Sequence, residues 1–273
     1  MPWIFSLILL CISTTAFAEP KVIQIGFVSD GDSGQTVQNI DRFTTALKRK
    51  TNTNELTLEF AKKYNFSADN TMESVRESLL LALKNREIDI LIMTGPIGAK
   101  VASDLGKEKS GLPKPVVAPI VFDATLQGIG TDINSNRSNI RNFNFATVPH
   151  IIENDLRAFT TVAGFYHIGV VVDETLIPTF EKDAREYINE LSPMIRKVTL
   201  LPVGDSGNKL LADYGARPAD FQGVYLTSLS RMSEEDEAIL IQGLKKAKLP
   251  TFSMDGPSDV KRGALASLTP KNI

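Results

Sequence analysis

Two copies of the tetrapeptide Gly-Asp-Ser-Gly are the first feature of the sequence that could carry chemistry. They span Gly31–Gly34 and Gly204–Gly207, and the same tetrapeptide surrounds the nucleophilic serine of trypsin-like proteases. A serine nucleophile needs a histidine base that a carboxylate orients, and the chain contains only His150 and His167. Both histidines fall in a pattern of strands and helices that is foreign to a β-barrel protease. Turn and helix-cap chemistry explains both tetrapeptides, so we expect no catalytic residues and no enzyme.

Metal and cofactor motifs are not found either. Two histidines without neighbouring cysteines do not match the spacing of zinc ligands. The acidic run Glu234–Glu237 could suggest a cation site, but it follows Ser233 in the first turn of a predicted helix, where acidic side chains interact favourably with the helix dipole. Neither a Gly-x-Gly-x-x-Gly pattern nor a phosphate-binding loop occurs. We therefore expect no metal and no cofactor.

The charge balance excludes two classes of large partner. The chain carries 30 basic and 32 acidic residues, for a formal net charge of −2. Such a balance creates neither a field for nucleic acid nor a basic face for anionic lipid. We expect no binding to nucleic acid.

The first 18 residues have the pattern of a signal peptide. They carry no charged side chain, contain an apolar run from Trp3 to Ile12, and end in Ala16-Phe17-Ala18, a small-x-small cleavage site. A membrane anchor is the alternative, but it needs about 20 apolar residues, and this run breaks at Ser13. Cleavage before Glu19 would also remove Cys11, the single cysteine, so we expect an exported, soluble product without disulfides.

Apolar strands alternate with amphipathic helices along the first half of the chain. Strands with two apolar faces between such helices are typical of parallel sheets that are covered by helices on both sides. The predicted elements are strand Val22–Val28, helix Thr36–Lys50, strand Leu56–Phe60, helix Met72–Arg86, strand Ile88–Met93, a short helix to Leu105 and strand Val116–Phe122.

A second half of the same kind follows a polar stretch, Thr131–Arg141, which marks the domain boundary. We predict an α/β protein with two doubly wound, Rossmann-like lobes, residues 19–140 and 141–273. A cleft between two such lobes binds ligands at the carboxyl ends of the strands. The elements predicted in the second half are helix Ile151–Ala163, strand His167–Val172, helix Pro178–Leu191, strands Val198–Val203 and Gly223–Thr227, helix Glu234–Lys246 and strand Thr251–Ser253.

Four segments, in their order and spacing, resemble the type I periplasmic binding proteins, and among them the substrate-binding proteins of ABC transporters for tryptophan and tyrosine. The likeness covers roughly residues 22–268. Ile90–Ala99 is similar to a strand of the family that ends in a Gly-Thr-Pro-Ala-like turn, and Pro119–Thr125 is similar to a Pro-Ile-Val-Phe strand end. Gly169–Glu174 lies where the family turns from the first strand of lobe two toward a helix. Leu249–Ser253 with Val260–Ser267 is similar to the family's closing signature.

The sequence departs from the family pattern at three places. Asn134–Asn144 lacks the Gly-Gly-Asn-x-Thr-Gly turn, and Asp173-Glu174 replaces an Asn-Pro-like turn. The chain stops at Ile273, so we expect a shortened C-terminal return to lobe one. Because of these departures, the identity of the ligand does not transfer from the family.

The resemblance implies a ligand site at the strand ends of both lobes. There, hydroxyls and helix N-termini could accept a carboxylate, while acidic side chains could hold an amine. The alternative for each serine, threonine or aspartate is a helix cap, and Phe122 could equally be a core residue or a platform for the ligand. The implied site residues are Ser29, Asp30, Thr94, Gly95, Phe122 and Asp123 in lobe one, and Asp173, Glu174, Thr227, Ser228 and Asp255 in lobe two.

The resemblance also implies a function. We expect a periplasmic, monomeric solute-binding protein that takes a small amino-acid-like or amine-bearing ligand and delivers it to the permease of an ABC importer. The alternative is a periplasmic sensor, or an accessory module of an export system, that uses the same fold.

Overall fold

The apolar segments found in the sequence form two parallel sheets, each flanked by helices. The computed structural model describes residues 21–32, 34–51, 56–132, 137–147, 151–215, 220–229 and 231–268. The predicted signal peptide and His150 lie outside these ranges. The elements up to residue 145 are β1 (Lys21–Ser29), α1 (Gly34–Thr51), β2 (Leu56–Glu59), β3 (Asn65–Ser67), α2 (Met72–Lys84), β4 (Ile90–Met93), α3 (Pro96–Glu108), β5 (Val116–Ala118), β6 (Thr131–Asp132), β7 (Arg137–Ser138) and β8 (Phe143–Phe145).

The first sheet has the strand order β2-β1-β4-β5-β8, and β3 pairs with the carboxyl half of β1. Every strand pair in it is parallel. Since β8 pairs with β5, this sheet extends beyond residue 140, where the sequence analysis places the domain boundary. The short antiparallel pair β6–β7 precedes it.

The second sheet has the order β10-β9-β11-β12 and is also entirely parallel. After β12, Ala266 forms an isolated parallel bridge with Phe252. Two such sheets with helical connections confirm the predicted α/β fold. The elements are α4 (Ile151–Ala163), β9 (His167–Asp173), α5 (Ala184–Leu191), β10 (Lys197–Val203), α6 (Asn208–Gly215), β11 (Gly223–Leu226), α7 (Glu234–Lys246), β12 (Thr251–Ser253) and α8 (Pro257–Arg262).

The predicted helix Pro178–Leu191 is divided in the structure. Glu174–Thr179 forms a 3-10 turn that contains Pro178, and α5 begins only after Asp183. The Asp183 side chain accepts a hydrogen bond from the backbone N–H of Arg185 at 2.7 Å, as an N-cap residue does. The cap therefore fixes the start of α5.

The two lobes share buried surface. The main apolar core of lobe one includes Val172 and Leu176 of lobe two. The segment between β5 and β6 also contacts lobe two, since Leu126 packs against Ala184 and Tyr187. In the described part of the chain, no helix has the length and apolar character that a membrane crossing needs.

Candidate functional site

A cleft of about 850 Å³ lies between the lobes. Its volume falls in the range of small-molecule sites, and it lies at the carboxyl ends of strands from both sheets, as open α/β sheets favour. The described residues that line it are Asp30, Gly31, Asp32, Ile40, Phe43, Asn70, Ile92, Thr94, Gly95, Pro96, Pro119, Ile120, Val121, Phe122, Ile151, Leu176, Asp205, Ser228, Arg231 and Met254.

Asp30 follows β1 and caps α3 from outside that helix. Its two carboxylate oxygens accept hydrogen bonds from the backbone N–H groups of Ile97, at 2.8 Å, and Gly98, at 2.7 Å. Burial raises the pKa of Asp30 to about 6, with a smaller contribution from the charge of Asp173, and the two N–H donors oppose this rise. Asp30 is thus both a helix cap and an acidic group of the cleft.

Thr94 and Gly95 form the turn between β4 and α3. The side-chain oxygen of Thr94 is buried and has no hydrogen-bond partner among the described residues, although Thr94 lines the cleft. Gly95 is the N-cap of α3. The turn therefore contains a buried polar atom without a described partner, in a residue that lines the cleft.

Phe122 and Asp123 lie beyond the end of β5. The predicted strand Val116–Phe122 ends at Ala118 in the structure, because Pro119 has no N–H to continue the ladder. Phe122 lines the cleft and stacks on Phe180 of lobe two, with ring centroids 5.7 Å apart. It is both a wall of the cleft and a contact between the lobes.

Asp123 is outside the cleft lining. It accepts hydrogen bonds from the backbone N–H of Leu126 at 2.8 Å and from the Tyr187 hydroxyl at 3.0 Å. It thereby holds the turn after β5 against lobe two.

Asp173 and Glu174 also lie outside the lining and are paired with Arg231, which lines the cleft. Asp173 is buried and accepts hydrogen bonds from the Thr175 N–H and hydroxyl. The Arg231 guanidinium lies 3.2 Å from Asp173 and 3.8 Å from Glu174. Both acids affect the charge of the cleft indirectly, because they pair with the one arginine that lines it in the described part of the chain.

Ser29 and Thr227 make hydrogen bonds to neighbouring strands of their own sheets. Ser29 is buried, and its hydroxyl lies 3.2 Å from that of Ser67 on the paired strand β3. The Thr227 hydroxyl donates to the carbonyl of Val171 at 2.9 Å. Neither belongs to the residues that line the cleft.

Ser228 lines the cleft, and Asp255, its hydrogen-bond partner, does not belong to the lining. Desolvation raises the pKa of the Asp255 carboxyl, and a hydrogen bond from Ser228 opposes this rise. Of the eleven residues implied by the resemblance, the cleft brings together Asp30, Thr94, Gly95, Phe122 and Ser228.

Sequence reasoning missed four polar residues of the lining. Asp32 and Asp205 belong to the two Gly-Asp-Ser-Gly loops, so their positions just after β1 and β10 could have indicated them. Asn70 and Arg231 lie in irregular segments, where no sequence pattern indicates a binding residue. Asn70 has a positive φ of 65°. Neither aspartate has a partner among the residues that the structure describes.

The histidine and the described serine of the motifs considered for catalysis lie away from the cleft or are paired, although Asp32 and Asp205 of the same tetrapeptides line it. His167 stands at the start of β9, the end opposite the cleft, with its Nε2 atom 2.9 Å from the Thr199 hydroxyl. The Ser206 hydroxyl accepts from the backbone N–H of Asn208 at the start of α6. In the other tetrapeptide, Ser33 lies outside the described residues.

One acidic cluster could reach a cation. Glu237, Asp255 and Asp259 have carboxylate oxygens close together. Arg262, however, lies 2.6 Å from Glu237 and 2.9 Å from Asp259. Burial and the neighbouring acids raise the pKa of Glu237 to about 7. The charge of Arg262 and the proton affinity of Glu237 therefore both reduce the negative charge of this cluster.

Comparisons with known proteins find matches in structure alone. No protein-family model matches the sequence, and no curated protein matches it. A conserved domain protein from Vibrio cholerae aligns over 91% of this chain and 79% of its own, with 17% identity and a TM-score of 0.62. An ABC domain from Streptococcus pneumoniae in complex with L-Trp aligns over 92% and 80%, with 12% identity and a TM-score of 0.61.

A third solved structure carries the name of the fold. It is a type 1 periplasmic binding protein from Bordetella pertussis, which aligns over 89% of this chain and 66% of its own, with 15% identity and a TM-score of 0.60. Together with the two parallel sheets and the cleft between them, these likenesses show that the chain has the fold of the type I periplasmic binding proteins.

Proposed function

We propose that this protein is a solute-binding protein that closes around a small amino-acid-like or other amine-bearing molecule in the cleft between its lobes. The observation that carries the proposal is the cleft itself, with its volume of about 850 Å³ and its polar groups contributed by both lobes. A ligand that touches both lobes binds the closed form more tightly than the open form, and this difference in affinity drives closure.

The composition of the lining supports a ligand with an apolar body. Apolar side chains approach from α1, from the first residues of α3 and α4, from the segments after strands of both sheets and from the turn after β9. They are Ile40, Phe43, Ile92, Pro96, Pro119, Ile120, Val121, Phe122, Ile151, Leu176 and Met254. Burying such surfaces against a ligand releases about 25 cal/mol per Å² of apolar area. The acidic groups Asp30, Asp32 and Asp205 favour an amine at the polar side.

The proposed setting is the periplasm, where a monomer would deliver its ligand to an ABC permease. The signal-peptide pattern in residues 1–18 supports export. The fold is shared with the Bordetella pertussis periplasmic binding protein, and the Streptococcus pneumoniae ABC domain of the same fold binds L-Trp. We propose no catalytic activity for the cleft.

A sensor or export accessory is the second candidate, and the turn after β9 favours it. Asp173-Glu174 replaces the family's usual turn, and its acids are held by Arg231. A surface altered at this position could serve a partner other than a permease. Permease and ATPase genes beside this gene would support import, whereas kinase, cyclase or efflux genes would support the second candidate.

Thermal unfolding of residues 19–273 against a library of amino acids, amines, nucleosides and small organic acids tests the proposed binding. A ligand at a hundredfold excess over its Kd stabilises the native state by about 2.7 kcal/mol, which is an easily measured shift. Ile120→Trp should abolish the shift, because Ile120 is 44% exposed within the cleft and the indole would fill the space.

Val162→Trp is the matched control for this variant. Val162 is 66% exposed on α4 and is not part of the cleft lining, so this substitution should leave the shift intact. A cooperative unfolding transition that no compound moves would reject ligand binding.

A further inference from the structure

We infer that the ligand of the proposed cleft is an organic cation with an apolar body and no carboxylate. The inference rests on the proposed binding function and adds the charge of the ligand. It follows from how two anion-binding groups of the cleft, the N-terminus of α3 and Arg231, are already used by the protein.

The first such group is the N-terminus of α3. Free backbone N–H groups and the helix dipole make helix N-termini sites for carboxylates and phosphates. Here Asp30 fills that position, since its two oxygens accept from Ile97 and Gly98. A ligand carboxylate would have to displace a side chain that is held by two charge-assisted hydrogen bonds.

The second group is Arg231. It is the one basic side chain among the described residues that line the cleft. Its guanidinium lies within ion-pair distance of Asp173, which is 4% exposed, and of Glu174. Taking Arg231 away from Asp173 would leave a buried carboxylate without its counter-charge, which is costly. The positive charge of the arginine is therefore already balanced by acids of the protein.

The hydrogen-bond acceptors of the cleft, in contrast, are only partly used by the described residues. Asp32 and Asp205 line the cleft and have no partner in the described part of the chain. A carboxylate has about four acceptor positions, and Asp30 uses two of them. The buried hydroxyl oxygen of Thr94 is also without a partner. The aspartates suit the N–H donors and the positive charge of an ammonium, whereas the Thr94 hydroxyl can donate as well as accept and so suits either charge.

The charges of the lining lead to the same conclusion. Asp30, Asp32 and Asp205 contribute three acidic groups, and Arg231 is balanced by acids behind it. A cleft that is lined by one sign of charge with apolar walls concentrates ligands of the opposite sign. A zwitterion or an acid would bring a carboxylate into this field, and the described residues of the lining offer it no basic side chain that is not already paired.

Matched trios of compounds test the inference. The probes are tryptophan, tryptamine and indole-3-propionate, and leucine, isoamylamine and 4-methylpentanoate. Each trio keeps the apolar body and changes only the charged groups. We expect thermal shifts and calorimetric binding with an amine, and at least tenfold weaker binding of the corresponding amino acid and acid.

The outcomes separate this inference from the proposed function. Tighter binding of an amino acid or an acid than of its matched amine would overturn the inference and leave the binding function standing. If neither these probes nor the wider library moves the transition, both are rejected.

Two variants locate the recognition of the amine. Asp205→Asn and Asp32→Asn should each weaken amine binding roughly tenfold, as loss of a complementary charge at a binding site does. Asp213→Asn, at an exposed position of α6 outside the cleft, should change nothing. Equal affinities for the amine in all four proteins, wild type included, would overturn the assignment of the acidic groups.

Discussion

The carboxylate of Asp30 occupies the space that a side chain at position 95 would need. A Cβ atom added to Gly95 would lie 2.1 Å from Oδ2 of Asp30, far inside van der Waals contact. The same carboxylate caps α3 through Ile97 and Gly98. The glycine that begins α3 thus allows an aspartate from β1 to cap the helix, and it ties two neighbouring strand ends together at the cleft.

Gly95→Ala should therefore destabilise the protein. The methyl group displaces Asp30, and the loss of a helix cap costs about 1 kcal/mol, while overpacking adds about 1–3 kcal/mol. We expect the free energy of unfolding, measured in urea, to fall by roughly 2–4 kcal/mol. Binding in the cleft should weaken as well, because Asp30 moves.

A double-mutant cycle identifies the cause of this effect. In an Asp30→Ala background the clash is gone, so Gly95→Ala should cost clearly less than in the wild type. Residues in contact show such coupling, whereas independent sites add. Additive free energies would contradict the proposed clash.

Lys100 and Lys107 provide a matched pair on one face of α3. Both approach Glu181 of lobe two, Lys100 at 2.5 Å and Lys107 at 3.6 Å, and their side chains are 6% and 41% exposed. Lys100 also binds Asp104 at 2.7 Å. The buried lysine thus connects the lobes, while the other remains in contact with solvent.

Lys100→Met should cost roughly 2 kcal/mol of unfolding free energy. This is less than the about 3–5 kcal/mol seen when a fully buried pair is broken, because Asp104 and Glu181 keep access to water. Lys107→Met should cost less than about 1 kcal/mol, as exposed ion pairs do. Urea unfolding of both variants measures the difference, and equal costs would show that burial does not distinguish the two lysines.

Much of the fold could be predicted because its signals are local. The helix Glu234–Lys246 and the strand Thr251–Ser253 have the predicted bounds, since Ser233 caps the helix and acidic residues fill its first turn. The helix Asn208–Gly215 was missed, and Pro178–Leu191 was predicted as one helix although a 3-10 turn and Asp183 divide it. The division of the second helix is itself local, since the Asp183 cap sets the start of α5.

The cleft could be predicted only in part, because a helix cap and a ligand contact use the same residue types. Asp30, Asp123 and Asp173 each come one or two residues after the end of a predicted strand, yet of these three only Asp30 lines the cleft. Arg231 is placed there by the pairing of β11 with β9, which joins residues far apart in the sequence. No local pattern records such a contact.

The buried carboxyl group of Asp155 should make the free energy of unfolding depend on pH. Asp155 is 3% exposed in the core of lobe two and accepts a hydrogen bond from the Tyr225 hydroxyl at 2.8 Å. Burial raises the pKa of Asp155 to about 6. Because the folded state then binds a proton more tightly than the unfolded state, this group stabilises the fold fully below pH 4 and loses that contribution as pH rises through 6.

Asp155→Asn keeps an acceptor for Tyr225 and removes the buried charge. We expect this variant to equal the wild type near pH 4 and to be more stable by about 2–3 kcal/mol at pH 8. Urea unfolding across this pH range measures the effect, with Asp213→Asn on the surface as the control. A variant that is less stable than the wild type at pH 8 would contradict the prediction.

Amine binding should also depend on pH, through Asp30. Burial raises the pKa of Asp30 to about 6, while alkylammonium groups stay charged as lysine does. Lowering the pH through 6 therefore removes a negative charge from the cleft but leaves the ligand unchanged, and a single linked proton weakens binding about tenfold between pH 7 and pH 5.

Calorimetric titration of the best amine at pH 7 and pH 5 tests this expectation. The Asp30→Asn variant has no proton to gain, so it should bind the amine weakly and nearly equally at both pH values. Affinity that rises at pH 5 would show that Asp30 does not face the cation. Asp32 and Asp205 would then have to supply the recognition alone.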